Sequence, residues 1–501
     1  MGRSLGPALF ASMKYPTKPY PHQLQALERI RGAEYFSLTM EMGTGKSFVI
    51  VRDICELWEQ GEINQALIIA PSGSYQTWKG QFNAHTPPKL QYSLWEVSAN
   101  TVSRSVDESL GKSAKNKLHI IVASAESLSS PRVSQELFRF VAHPPAKLYL
   151  VLDEFHLFKT PSASRTKTAL KWSPYAKFRR ILSGTPVNNS PFDLWAPYTF
   201  LSKDIFNGMK FRQFCTQYCE MLPTHHPLVT RITRSSGHIP LLPAKNPDGS
   251  LKLKNIEELT ELINPHTFSV LKSQCLRLPD KRYEEHEFDL SEAQRVAYKE
   301  LYHSFKTQLL DSSVSVPHKA AALIKVSQVI SGFIIDKERG YAVPVGKKNP
   351  KLLLAVNLVK RMVHGGHSVI IWCRFQEEIQ QLTFALAPIV RTFAYYGATK
   401  ASEREATISE FNGCDEPAIL IGTAACGGVG LTLNKASRVI YYSNTYSYKD
   451  RAQSEDRCHR IGQNQDVVYI DLLARGTVDQ QIVKALRNKK SVLKTILRGL
   501  K

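Results

Sequence analysis

Tyr35-Phe36-Ser37-Leu38-Thr39, then Met42-Gly43-Thr44-Gly45-Lys46-Ser47, then Val49, Ile50, Ile54 and Leu57 form the stretch on which the fold reading turns. The first five residues have the character of a short buried strand. After Lys46 the four apolar residues fall on roughly one helix face. Between them, glycines let the backbone curl closely, and successive N–H groups point inward at a helix N-terminus, which suits a phosphate. In such a turn Gly43, Thr44 and Gly45 wrap the phosphates and Lys46 supplies a point charge to the β- and γ-groups. The Ser47 hydroxyl can ligate Mg²⁺. A full phosphate-loop pattern has another glycine where this chain has Met40, so the fragment alone is a reduced match.

The second decisive segment is Leu148-Tyr149-Leu150-Val151-Leu152-Asp153-Glu154-Phe155-His156. An apolar strand that ends in two carboxylates is rarely structural, because burying unpaired acids costs several kcal/mol. Asp153 at the strand tip is expected to ligate Mg²⁺, and Glu154 to polarise an attacking water. His156 is expected to link nucleotide state to neighbouring segments.

Outward from these two segments, strands alternate with amphipathic helices from Ala33 to Thr199, with further candidate strands at Ala66–Ala70, His119–Ala123 and Arg180–Leu182. The rhythm returns from Lys351, with strands at Ser368–Cys373, Arg391–Tyr395, Ala418–Ile421, Arg438–Tyr442 and Val467–Leu472. Doubly buried strands separated by helices mean parallel sheets with crossover connections. The expected architecture is α/β: a first lobe over 1–200, a mainly helical insertion and linker over 201–350, and a second lobe over 351–501. Within the insertion, Arg231–Lys254 reads as an exposed loop, and Gly332–Val345 as a β-hairpin turning at Glu338-Arg339-Gly340.

A chain of 501 residues suits two or three domains at roughly 150 residues each. It has no run of about 18 apolar residues, so no membrane span is expected. The short apolar stretch Leu5–Ala11 contains Gly6 and Pro7 and does not read as a signal peptide. Eight scattered cysteines show no disulfide framework, which points to a reducing cytoplasmic location. The net charge of +21 favours a polyanionic partner, nucleic acid being the commonest.

Taken together, these residues resemble the Swi/Snf-type branch of the superfamily-two helicases over about Tyr20 to Leu486. Pro21-His22-Gln23 is similar to that family's adenine-reading segment, which would give Gln23 the base edge. Ile69-Ala70-Pro71 with Trp78 is similar to motif Ia. Ser183-Gly184-Thr185-Pro186, with Asn188-Asn189 and Leu194-Trp195, is similar to motif III. Ala425-Cys426-Gly427-Gly428-Val429-Gly430-Leu431 is similar to motif V. Gln453-Ser454-Glu455-Asp456-Arg457-Cys458-His459-Arg460-Ile461-Gly462-Gln463 matches motif VI almost letter for letter. The resemblance implies two tandem RecA-like lobes, ATP and Mg²⁺ as cofactors, and double-stranded or branched DNA as partner, with the chain acting as a monomer. Ser183, Gly184, Thr185, Thr423, Gly430, Thr432 and Gln453 would couple nucleotide to DNA. Arg457 and Arg460, three apart, can face one way and neutralise charge on the γ-phosphate as arginine fingers do.

The chain departs from the family pattern in three places. Phe155 replaces a small residue in the DEAH letters and should repack that site. Leu271-Lys272-Ser273-Gln274 stands where Arg-Arg-Thr-Lys is common, and Tyr446-Ser447-Tyr448 where Trp-Asn-Pro is. With small insertions and no chromatin-reading module, the expectation is a compact bacterial or bacteriophage motor rather than a nucleosome remodeller. Cys215, Cys219, His225 and His226 have zinc-ligand chemistry, but no second cysteine pair supports them, and helix packing explains them better. The leading functional expectation is a duplex-DNA translocase that displaces proteins or migrates branched junctions. A strand-separating DNA or RNA helicase is the alternative, with Gly332–Val345 as its candidate wedge. An ATP-gated DNA scaffold without turnover is the third.

Overall fold

A computed structural model describes residues 14–98, 100–111, 117–143, 147–184, 190–246, 251–310, 316–336, 340–396, 401–424, 432–460 and 462–487. The chain divides into two compact units, with the boundary in sequence between Leu276 and Arg277. Each is built on its own parallel sheet.

The first unit's strands are β1 (Tyr35–Met40), β2 (Gln65–Ala70), β3 (Tyr92–Val97), β4 (Leu118–Ser124), β5 (Leu148–Asp153), β6 (Ala176–Leu182) and β7 (Thr267–Val270). They lie in the order β3-β4-β2-β5-β6-β1-β7, and every pairing is parallel. All six residues of β2 are buried, as expected of a central strand covered by helices on both faces. The register brings the chemistry together: Asp153 lies opposite Leu182 on β6, and Leu182 lies opposite Leu38 on β1. The acids after β5, the serine after β6 and the glycine turn after β1 therefore emerge at one sheet edge. Ligands bind outside the carboxyl ends of strands in such sheets.

The second unit holds β8 (Lys281–Phe288), β9 (Phe333–Ile335), β10 (Ala342–Pro344), β11 (Val369–Cys373), β12 (Thr392–Tyr395), β13 (Ile419–Thr423), β14 (Arg438–Tyr441) and β15 (Val467–Ala474). Its main sheet runs β12-β13-β11-β14-β15-β8, again parallel throughout. Apolar clusters cover both faces, one around Ile371, Leu382 and Ile470, the other around Trp372, Phe411 and Tyr469. β9 and β10 form the expected antiparallel hairpin, Ile335 facing Ala342, while 337–339 of its turn lie outside the described residues.

The stretch 201–350 is divided between the two units rather than standing as a body of its own. β7 extends the first sheet beside β1, and β8 pairs with β15 along eight residues. Neither strand announces itself in sequence, since β8 (Lys-Arg-Tyr-Glu-Glu-His-Glu-Phe) is an edge strand with a half-exposed, charged surface. The exposed loop expected at Arg231–Lys254 starts inside a helix, Pro227–Ser236, and continues into isolated bridges such as Met221 with Pro243. Local signals explain that helix: Pro227 at its first position, the His226 ring accepting from Leu228 N, and Gly237 at φ 70° past its end. Cys215 and Cys219 are buried beside Phe214 and Tyr218. No helix among the described residues is long and apolar enough to cross a membrane.

Candidate active site

The glycine turn joins β1 to the helix Lys46–Glu59. Gly43 (φ 78°) and Gly45 (φ 90°) adopt the left-handed backbone that only glycine takes at little cost. A Cβ at Gly45 would also stand 2.1 Å from Gln23 Nε2 and displace that amide from the turn. Gln23 is buried and holds the turn from outside. Its Oε1 accepts from Tyr20 N at 2.9 Å, and its Nε2 donates to the Thr44 carbonyl at 3.2 Å. His22 Nε2 donates to the same carbonyl at 2.7 Å. The Thr44 hydroxyl donates to Glu41 O at 2.6 Å, and the Lys46 ammonium donates to Met40 O at 2.8 Å.

At the end of β5 the chain turns sharply because Glu154 takes φ 52°, ψ 56°. A left-handed conformation at a non-glycine residue stores strain of order 1 kcal/mol, and such residues cluster at functional sites. Asp153 Oδ2 accepts from the Trp78 indole at 3.2 Å. Burial, and next the charge of Glu154, push the Asp153 carboxyl up to about 7, while the Lys46 charge opposes the rise. The Glu154 Oε2 oxygen lies 3.1 Å from His156 Nδ1 and accepts from the Ser183 hydroxyl at 3.5 Å. A Cβ on Gly184 would meet Met42 Cγ at 2.7 Å and stand 3.5 Å from Lys46 Nζ. Ser183 and Gly184 thus touch the acids on one side and the glycine turn on the other. Phe155 repacks as expected, fully buried and edge-on to Tyr198.

An oxygen-only donor set fits a hard divalent cation. Asp153 and the Ser47 hydroxyl supply oxygens of that kind, and the raised Asp153 carboxyl would be relieved by a cation. Thr185 of the motif-III segment lies outside the described residues.

In the second unit, Gln453 is buried on the helix Tyr448–Glu455. Most other letters of its segment are tied into that unit. Arg451 donates twice to Asp471, at 2.5 and 3.1 Å, donates to Glu455 at 2.9 Å, and lies 3.5 Å over the Tyr441 ring. Ser454 bonds Tyr441 OH at 2.7 Å, Glu455 accepts from Tyr283 OH at 2.8 Å, and His459 Nε2 donates to Pro279 O at 2.7 Å. The Gln463 amide donates to Ala436 O at 3.0 Å. Arg457 is 7% exposed, and burial lowers the pKa of the Arg460 guanidinium against the pull of Asp456.

Thr423 ends β13, and its hydroxyl is buried without a hydrogen-bond partner among the described residues. It lines a cavity of about 60 Å³ with Arg374, Ser443 and Asn444, at the carboxyl ends of β11, β13 and β14. Thr432 is exposed, its carbonyl accepting from Asn412 at 2.8 Å. Gly430 lies outside the described residues.

Sequence reading missed the roles of three residues. Trp78 was singled out only by its likeness to motif Ia, and its indole N–H was the available signal for a polar contact. Arg374 follows a buried strand, and Glu378, buried at 1% exposure, accepts from Arg374 N, Phe375 N, Ser331 and Ser443.

Comparison with known proteins agrees with this arrangement. The SNF2-related domain matches residues 37–331, and the helicase conserved C-terminal domain matches residues 350–462. An uncharacterised ATP-dependent helicase of Mycoplasma genitalium is 23% identical over 92% of this chain and 40% of its own. The transcription regulatory protein SNF2 of Saccharomyces cerevisiae is 23% identical over 90% of this chain and 26% of its own. This chain spans about half or less of the length of the curated relatives it matches. The SWI2/SNF2 ATPase core of Sulfolobus solfataricus in complex with dsDNA aligns with 97% of this chain and 94% of its own, at 21% identity and a TM-score of 0.40. With the SNF2-related domain alone covering more than half of its residues, the chain belongs to the SNF2 family of the superfamily-two helicases, two parallel-sheet α/β lobes in tandem.

Proposed function

We propose that the chain hydrolyses ATP to move along double-stranded DNA, remodelling protein–DNA complexes or branched DNA. The observation that carries this reading is the meeting of Lys46, Asp153 and Glu154 at one sheet edge, with Ser183 and Gly184 touching both sides. A nucleotide binder without turnover has no need for an acid in strained backbone beside the metal ligand.

Lys46 exchanges its carbonyl partners for phosphate oxygens, and Gln23 holds the turn and reads the base. Ser47 and Asp153 would hold Mg²⁺, which would supply neutralisation of phosphate charge. Glu154 takes the proton of the attacking water at Oε2 as the bond from γ-phosphorus to the ADP oxygen breaks. His156 and Ser183 sense that proton through their contacts with the same oxygen. Arg457 and Arg460 have the charge and the three-residue spacing of arginine fingers, whose charge neutralisation is worth about 10³–10⁵ in rate. Ser183, Gly184, Thr185, Thr423, Gly430, Thr432 and Gln453 couple this cycle to DNA. The net charge of +21 supports phosphate contacts without base reading.

The test is ATPase rate against single-stranded, duplex, forked and junction DNA, and RNA, across a salt series. Duplex stimulation that falls steeply with salt is expected. Equal rates with and without duplex DNA would overturn the proposal. The β9–β10 hairpin favours a second reading, strand separation, because Tyr341 on it is 52% exposed. Unwinding of a tailed duplex without triplex displacement would select that alternative.

A further inference from the structure

Trp78 sits on the helix Tyr75–His85, which follows β2, and is buried with Phe82 under that helix. β2 neighbours β5, Ile69 lying opposite Leu152, so the helix starts beside the strand tip that carries Asp153. The indole N–H reaches Asp153 Oδ2 at 3.2 Å. A buried indole needs a partner for its one donor, so this bond fixes both groups. The choice of donor matters. A lysine or arginine there would neutralise the carboxylate and compete with a cation, whereas an indole orients one oxygen and leaves the negative charge in place.

We infer that Trp78 is a positioning residue, holding Asp153 for Mg²⁺ and tying that carboxylate to the helix Tyr75–His85. The inference rests on the reading of Asp153 as a metal ligand. Any shift of the carboxylate on cation binding is then felt by a helix that follows β2 in the segment similar to motif Ia.

The experiment is equilibrium binding of ADP by calorimetry, with Mg²⁺ and with EDTA, in the full chain and in Trp78→Phe. The variant keeps an aromatic ring and loses the N–H. Its EDTA affinity should match wild type, while the tightening produced by Mg²⁺ should shrink about tenfold, the size of one hydrogen bond to a charged group. Trp78→His, which restores a ring N–H, should recover part of that loss. An unchanged Mg²⁺ effect in Trp78→Phe would overturn the inference, as would an equal loss with and without Mg²⁺. Should Trp78→Phe fail to fold, the indole N–H signal of Trp78 in the NMR spectrum of the wild type, assigned by replacing the other five tryptophans one at a time, reads the same bond. A shift when Mg²⁺ is added to the ADP complex is expected, and no shift overturns the inference. If wild type itself shows no Mg²⁺-dependent nucleotide binding, the functional reading falls with it, a result distinct from failure at Trp78 alone.

Discussion

At the tip of β5, Asp153 and Glu154 stand side by side, met by an indole N–H, a serine hydroxyl and a histidine ring, with Lys46 held to a backbone carbonyl. Around the helix Tyr448–Glu455 charges are just as crowded, but there Arg451 grips Asp471 with two N–H groups and Glu455 with a third. One region leaves an acid pushed up to about 7; the other balances its buried charges against each other. Charge left poorly compensated near a cleft marks chemistry, and charge paired in place marks scaffold. Within Gln453–Gln463, Ser454, Glu455, His459 and Gln463 therefore shape the second unit, while Arg457 and Arg460 carry the chemical role proposed above.

The largest expected effects fall on the reagents. Lys46→Ala, Glu154→Gln and Arg460→Ala should each lower duplex-stimulated ATP turnover by about 10³-fold or more. Their melting temperatures should stay near wild type. A Glu154→Gln variant within tenfold of wild-type rate would remove the distinction between the two regions and leave an ATP-gated scaffold as the better reading. Next in size is Arg451→Met, which leaves the buried Asp471 without its cation, Glu455 keeping Tyr283 and Lys281, and should cost about 3–5 kcal/mol of stability. Urea melts of the purified chain test this, and an unchanged midpoint would show that the pairing is not structural.

Asp153→Asn sharpens the comparison from the other side. A carboxyl whose pKa is raised on folding binds its proton more tightly folded than unfolded. Its stabilising contribution is present below the ordinary value near 4 and is lost as pH rises through about 7. The variant should therefore be more stable than wild type above pH 7, by up to about 4 kcal/mol at about 1.4 kcal/mol per pH unit, and no more stable near pH 4. Thermal melts across pH, without nucleotide or Mg²⁺, measure it. Equal melting at pH 8 would mean that Lys46 and Trp78 already compensate the charge.

Central strands were legible because burial on both faces makes them continuous apolar runs, and the expected ends of β1, β2, β4 and β5 lie within a residue of those found. Three edge strands were not, although β12, at the edge of the second sheet, was. β3, β7 and β8 each have one pairing neighbour, so β8 can carry five charged residues in eight and look like a linker. That is why the expected boundary near 350 gives way to one at Leu276. Site residues fixed by covalent neighbourhood, such as Gly43 to Ser47 or Asp153 with Glu154, could be read directly. Trp78 and Arg374 depend on the approach of distant strands, which no local spacing encodes.

The smallest effect separates the two regions by reactivity alone. Cys55 lies behind the glycine turn and Cys458 inside the arginine segment; both are fully buried, and burial pushes both thiols up to about 12. The thiolate is the nucleophile, so at pH 8 the half-buried Cys414 should alkylate first among the described cysteines, with Cys55 and Cys458 protected alike. If the Arg451 network is what closes the second unit around Cys458, Arg451→Met should hasten labelling of Cys458 and leave Cys55 at its wild-type rate, because local opening follows local packing. Faster labelling of both cysteines would instead mean global unfolding, and the contrast between the two regions would then reduce to overall stability.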